Sequence, residues 1–261
     1  MFKLCRVVVP IAKSRTLVRS IHTVPVLPQF SKWTKEGVDG LYSPAGFKTS
    51  WEDYQKYLTM KLTMLTVGTE NETRSPFNIM VSSAKKPYQS CVYHYASQAH
   101  NNHLFFEQLI DKSLNKSLPS RLLNERIEKI FGSFEDFKNE ILFEAEQLQG
   151  QGWVFLVEDF DKSLKILTCN NEGTPYFYAR NQSLDLNGPI DTGDYETLTL
   201  IKEKLANKDK DYNIPILAIN VWDYAYLEDY GINGKADYLE KLWECINWDI
   251  INSRLFNPSR V

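Results

Sequence analysis

The sequence predicts an α+β fold: an N-terminal helical-hairpin domain, then a small antiparallel three-stranded sheet packed with helices. Three observations carry this expectation. The first half of the chain sets apolar residues at helical spacing, the stretch beyond Gly150 shifts to short β-branched and aromatic runs bounded by turn residues, and the chain then returns to helical spacing. With 261 residues, 43% of them hydrophobic, the chain can bury a sizeable core without disulfide staples.

The elements follow in order. Residues Trp51 to Val67 put Tyr54, Leu58, Leu62 and Leu65 at helical spacing, with Thr49 or Ser50 as the cap and the polar run GTENETRSP as the stop. A second helix is predicted from Tyr93 to Leu118, with Leu104, Phe105, Leu109 and Ile110 on its apolar face and Pro119 ending it. Two shorter helices follow, from Pro119 to Ile130 and from Ser133 to Leu148. Ser133 stands three residues before Asp136, the spacing at which its hydroxyl accepts from the first-turn amides. Strands are predicted over Gly152 to Val157, Ser163 to Thr168 and Ile214 to Val221, with Asp161 and Lys162 in the hairpin connection. Asn170 to Asn213 reads as a polar surface insertion, and Ala236 to Leu255 as a closing helix with Tyr238, Leu242, Ile246 and Ile250 at spacings of four. The expected organisation is a leader over 1–30, a helical-hairpin domain over 31–118, an α/β domain over 119–256 carrying the inserted loop 170–213, and a tail over 257–261.

Charge is distributed unevenly. Lys3, Arg6, Lys13, Arg15, Arg19, Lys32 and Lys35 all precede the first acid, Glu36. That pattern is similar to a mitochondrial transit peptide; a basic arm that binds nucleic acid is the other reading, and a secretory signal fits less well because charges interrupt the apolar stretch. Cleavage after about Arg19 lowers the formal net charge from -3 to about -8. An acidic body is ill suited to wrapping RNA, whose phosphates reward dense positive charge, so any RNA contact is expected to be limited or indirect. The lysines of KEKLANKDKDY alternate with acids, as on a solvated surface. No apolar run reaches the roughly 20 residues of a membrane span. The four cysteines, Cys5, Cys91, Cys169 and Cys245, stand singly, without a metal clip or redox pair. No glycine-rich phosphate loop, nucleophile elbow or HExxH sequence occurs.

Three separated segments carry a resemblance. They are HNNHLFFEQL from His100; GSFEDFKNE with GQGWVFLV; and ILAINVWDYAYLEDYGINGKADYLEKLWECINWDII. In this order they resemble the His-x-Asn-His helix, the Gly-Ser-Phe helix with its Gly-Trp strand, and the Asp-Val-Trp-Glu-His-Ala-Tyr segment with its closing helix in the iron/manganese superoxide dismutase family. The resemblance spans roughly residues 40 to 256, with the long loop as the main departure.

The family holds a redox metal with three histidines and one aspartate, and the resemblance implies where those donors would stand here. The first falls near Thr49, and no histidine occurs between His22 and His94. The second is His103, which keeps the family residue. The third is Asn220, an amide in place of a carboxylate, and the fourth is Tyr224, whose phenol ionises near pH 10 and is a poor ligand at neutrality. With three of four donors absent, neither a metal cofactor nor redox catalysis is expected. Burying a carboxylate without a cation is costly, so Asn220 and Tyr224 are expected to form a hydrogen-bonded core instead.

Two other readings compete. His100 and His103, with His94, have the spacing of a zinc clip, against packed histidines with hydrogen-bond partners. Trp153, Trp222, Trp243 and Trp248 occupy family motif positions and read as core, against a base-stacking platform.

The resemblance implies more specifically the superoxide dismutase-like proteins of the fungal mitochondrial small ribosomal subunit. The expected role is a structural ribosomal component in the mitochondrial matrix, contacting other small-subunit proteins and pairing with a second, different superoxide dismutase-like protein. Asp223, Tyr224 and Leu227 are the candidate partner interface, because the family dimerises through the matching Trp-Glu-His-Ala-Tyr region. The alternatives are an active or residual mitochondrial superoxide dismutase and a mitochondrial scaffold outside the ribosome.

Overall fold

The computed structural model describes residues 21–159, 161–177, 182, 192–207 and 213–255. The tail read over 257–261 and most of the leader lie outside the described residues. The α+β expectation is borne out, with helices on both sides of one three-stranded sheet.

A short helix, α1 (Phe30–Glu36), leads into a continuous helical rod. The rod begins as α2 (Pro44–Phe47), widens into a π-helical turn (Lys48–Asp53) and continues as α3 (Tyr54–Thr66). Its cap is therefore Ser43 and not Thr49 or Ser50: the Ser43 hydroxyl accepts from the Gly46 amide at 3.0 Å, and Pro44 supplies a preset φ at the first helical position. Ser50 lies inside the rod and donates back to the Gly46 carbonyl at 2.6 Å.

The polar turn closes the rod as expected. Ser75 and Pro76 then start an extra helix, α4 (Pro76–Ser83), by the same cap chemistry. The long helix α5 (Ser90–Glu107) ends well before Pro119, because its final turn is captured by other partners. Leu109 pairs with Ile246, the Ile110 amide donates to the Cys245 carbonyl at 2.9 Å, and the Asn247 amide donates to the Gln108 carbonyl at 2.8 Å. The same contacts split the predicted closing helix into α10 (Lys235–Glu244) and α11 (Trp248–Arg254), between which Ile246 is buried.

Helices α6 (Arg121–Phe131) and α7 (Phe134–Gln147) match the expectation closely, with Ser133 Oγ accepting from the Asp136 amide at 3.0 Å. Strands β1 (Gly152–Glu158), β2 (Leu164–Asn170) and β3 (Ile214–Asn220) form an antiparallel sheet in the order β2-β1-β3. All seven residues of β1 are buried, as befits a central strand covered on both faces. Between β2 and β3 the chain forms α8 (Thr192–Asn207), a correction to the insertion read as a loop. Helix α9 (Asp223–Tyr230) follows β3 after a two-residue turn.

Polar anchors fix the pieces. Asp111, 1% exposed, accepts from the Trp33 indole at 2.9 Å, the Asp39 amide at 3.0 Å and Lys32 Nζ at 2.6 Å, tying the segment around α1 to the end of α5. Arg254 of α11 donates to the carbonyls of Leu104 and Ile216, to Gln108 Oε1 and to Glu107. Gln108 in turn both donates to the Ala218 carbonyl and accepts from its amide, so α5, β3 and α11 share one junction.

Candidate functional site, a buried amide and phenol network

The interior between α3, α5 and the end of β3 is polar. The inward face of α3 carries Gln55, Thr59, Thr63 and Thr66 beside Leu58 and Leu62. Each threonine satisfies its hydroxyl on the carbonyl four residues earlier, at 2.8–3.0 Å, which lets a polar side chain sit inside without an orphaned donor. On α5, Ser97, Gln98 and Asn101 donate to the carbonyls of Glu172, Asn171 and Gly173, clamping the turn after β2. One residue further, Asn102 turns toward the site.

Asn220, at the end of β3 and fully buried, donates to the Tyr224 hydroxyl at 3.0 Å and toward Asn102 Oδ1 at 3.5 Å. Its Oδ1 accepts from the Trp222 amide at 3.0 Å, and its carbonyl from the Tyr238 hydroxyl at 3.0 Å. The expected Asn220–Tyr224 bond is thus present. Tyr224 also donates to Asn102 Oδ1 at 3.4 Å, and its ring stacks on Tyr54 with centroids 3.7 Å apart. Asn102 closes the network by donating to Gln55 Oε1 at 3.0 Å and to the Ser50 carbonyl at 3.4 Å. Tyr238 extends it to the Tyr42 hydroxyl, 3.3 Å away.

Burial around the hydroxyls is the largest effect on the phenols of Tyr42, Tyr54, Tyr224 and Tyr238 and pushes all four pKa values up. They are neutral at any physiological pH. Tyr224 as a whole is half-buried, while its hydroxyl end is enclosed.

Of the four positions singled out by sequence, the structure joins Asn220 and Tyr224. The other two stand one residue away from those that join. Thr49 precedes Ser50, whose carbonyl is the acceptor, and His103 follows Asn102; the His103 ring lies against Trp51, centroids 6.0 Å apart. Asn102, Gln55 and Tyr54 were not singled out. The available signal was the pair of amides, Gln55 and Asn102, at interior positions of two predicted helices.

The donor set does not fit a redox metal. It offers amides and protonated phenols, with no carboxylate in the network and with the nearest imidazole held against an indole. Among the described residues, no group of three or more His, Cys, Asp or Glu is placed to hold a metal ion. The three histidines of the zinc reading go to three different partners: His94 to Glu172 at 3.4 Å, His100 to the Tyr176 hydroxyl at 2.9 Å, and His103 to Trp51.

His100 makes a measurable prediction. Burial first, and then the nearby His103 and Arg254, push its pKa down to about 3 from an unfolded value of 6.5. The unfolded chain therefore binds the proton more readily, so stability is fully present above pH 6.5 and is lost as pH falls toward 3. At pH 5 the loss from this group is about 2 kcal/mol. His100→Gln, which keeps a hydrogen-bonding group for the Tyr176 hydroxyl, is expected to flatten that part of the stability profile in denaturant titrations between pH 7 and pH 5. His22 and His103, also lowered by burial, contribute residual slopes of the same sign. An unchanged slope in the variant contradicts the assignment.

The interface trio is split. Leu227 is 38% exposed, whereas Asp223 is engaged within the chain, accepting from Gln151 at 3.1 Å and from Tyr226 at 3.2 Å.

A helical hairpin joined to a three-stranded antiparallel sheet, with a polar cluster of neutral amides and phenols between them, defines an α+β class of protein. The family model for the C-terminal domain of iron/manganese superoxide dismutases matches residues 119–186 and 191–254. Small ribosomal subunit protein mS43 of Schizosaccharomyces pombe is 31% identical over 242 residues, covering 90% of this chain and 85% of the relative. Small ribosomal subunit protein mS42 of the same organism is 33% identical over 191 residues, 72% of this chain and 76% of the relative. An iron superoxide dismutase of Bacteroides fragilis is 31% identical over 194 residues, 74% and 80% of the two chains. The chain belongs to the iron/manganese superoxide dismutase family.

Proposed function

We propose that the chain is a structural component of the mitochondrial small ribosomal subunit and acts through protein contacts, without catalysis. One combination carries the reading: 31% identity along 90% of the chain to a small ribosomal subunit protein, with a closed amide and phenol network at the family's metal position. A network already satisfied by its own members gains little from a cation, and its members provide no negative charge to offset one. Three of the four family donors are absent at Thr49, Asn220 and Tyr224. The basic leader over 1–30 fits import into the matrix. The hairpin domain is read over 31–118 and the α/β domain over 119–256.

The partner reading is a heterodimer with a second superoxide dismutase-like subunit, supported by likeness to two different small-subunit proteins of one organism. The surface remains α9, where Leu227 is exposed and Tyr224 is half-buried. Asp223 contributes through the helix it starts.

Depleting the chain from mitochondria is expected to reduce assembled small subunits several-fold while large subunits persist. Purified chain is expected to carry far less than one metal per molecule and to show no dismutase activity above buffer. Normal small-subunit levels after depletion would contradict the ribosomal reading. Stoichiometric iron or manganese with turnover would restore the enzyme alternative.

A further inference from the structure

A second apolar line runs along the outside of α3. Tyr57, Met60 and Met64, with Val67 just past the helix end, are 43%, 46%, 58% and 51% exposed, Tyr57 at the edge of the line where its ring also meets Tyr95 of α5 edge-on, centroids 6.0 Å apart. Scattered exposed apolar residues are ordinary, but these four recur at spacings of three, four and three, the rhythm of a helix-packing seam. The helix thus shows more large apolar side chains outward than inward, where Leu58 and Leu62 share the face with one glutamine and three threonines. Among the described residues, nothing outside the hairpin covers the line.

The flanks carry the second observation. Lys56 and Lys61 are the only charged residues from Tyr54 to Thr66, and the helical turn places them on either side of the apolar line. Lys61 Nζ stands 5.6 Å from the Tyr57 ring centroid. Neither lysine has an ion pair among the described residues.

We infer that this face docks an amphipathic helix of a partner protein, one whose apolar line is flanked by acidic residues. The three-four-three rhythm selects a helix over an extended strand, whose side chains alternate by two. The two lysines select acidic flanks, as charged flanking positions do in paired helices. Two methionines suit such a surface, because their flexible thioethers fit a range of opposing side chains. This inference does not rest on the ribosomal assignment, since it concerns a face of the hairpin and is testable on the purified chain.

The test uses the full chain and a synthetic 21-residue helical peptide with leucine at both core positions of each heptad and glutamate at the flanks. The like charges hinder the peptide from pairing with itself. Fluorescence anisotropy is expected to show binding in the micromolar range. The double substitution Met60→Glu with Met64→Glu is expected to weaken it at least tenfold, as is exchange of the peptide's glutamates for lysines. Both methionines are exposed, and an unchanged melting curve for the double variant separates lost docking from lost folding. No binding up to about 100 μM overturns the inference. So does equal affinity for acidic and basic peptides. A self-dimer in sedimentation equilibrium that disappears in the double variant also overturns it, assigning the face to a second copy.

Discussion

Asn220→Asp is expected to destabilise the protein by about 3 kcal/mol at pH 7, a fall in melting temperature of roughly 6–12 °C for a chain of this size. The side chain is fully buried, and its Nδ2 is the group that donates to Tyr224 and Asn102. A carboxylate there loses both donations and sets a negative charge against Asn102 Oδ1. Rotation of the Tyr224 hydroxyl recovers one hydrogen bond but brings no cation. Burial raises the pKa of the introduced acid above its unfolded value, so the folded variant binds the proton more tightly. The penalty is therefore smallest near pH 4 and grows as pH rises through the raised pKa. Thermal melts of both proteins at pH 5 and pH 7 give the comparison; equal melting temperatures at pH 7 contradict the account of the site.

Arg254→Met is expected to cost about 3 kcal/mol, read by denaturant unfolding at neutral pH. The methionine fills most of the volume but leaves the Leu104 and Ile216 carbonyls and Gln108 Oε1 each one donor short. The Glu107 ion pair contributes a minor share, because that carboxylate is 47% exposed and already solvated. Arg254→Lys should recover only part of the loss, since one ammonium cannot reach four acceptors arranged for a planar fork. A methionine variant within 0.5 kcal/mol of the parent, about the scatter of surface substitutions, would show that the junction is held by apolar packing alone.

The parts of the fold legible in the sequence are those where one local signal dominates. Strand β1 is apolar from Trp153 to Val157 because both its faces are covered, and Ser133 announces α7 by cap chemistry that needs no tertiary partner. The misread parts are set by distant contacts. Nothing in the run from Gln108 to Leu118 says that the helix stops at Glu107; the stop comes from Ile246 and Asn247, more than a hundred residues away. The split between α10 and α11 has the same origin, and Ile246 kept the spacing of four while serving a bridge. The start of α4 was legible in Ser75-Pro76, but eight residues give too little periodicity to stand out.

The site divides along the same line. Asn220 and Tyr224 were legible because the family resemblance implies which residue each would replace. Asn102 and Gln55 were not, because an amide inside a helix looks like a solvated residue until its partner is placed. The inward threonines of α3 mislead in the same way, and they pushed the predicted buried face toward Leu65, which is 41% exposed.

The central claim is that a fold built for a metal now serves as a part of an assembly. Sedimentation of mitochondrial extract through a sucrose gradient at moderate salt, with the chain followed by immunoblot, tests it most directly. The chain is expected to migrate with the small ribosomal subunit and to leave the top fractions nearly empty. A chain that stays at the top of the gradient while the small subunit sediments intact would contradict the claim.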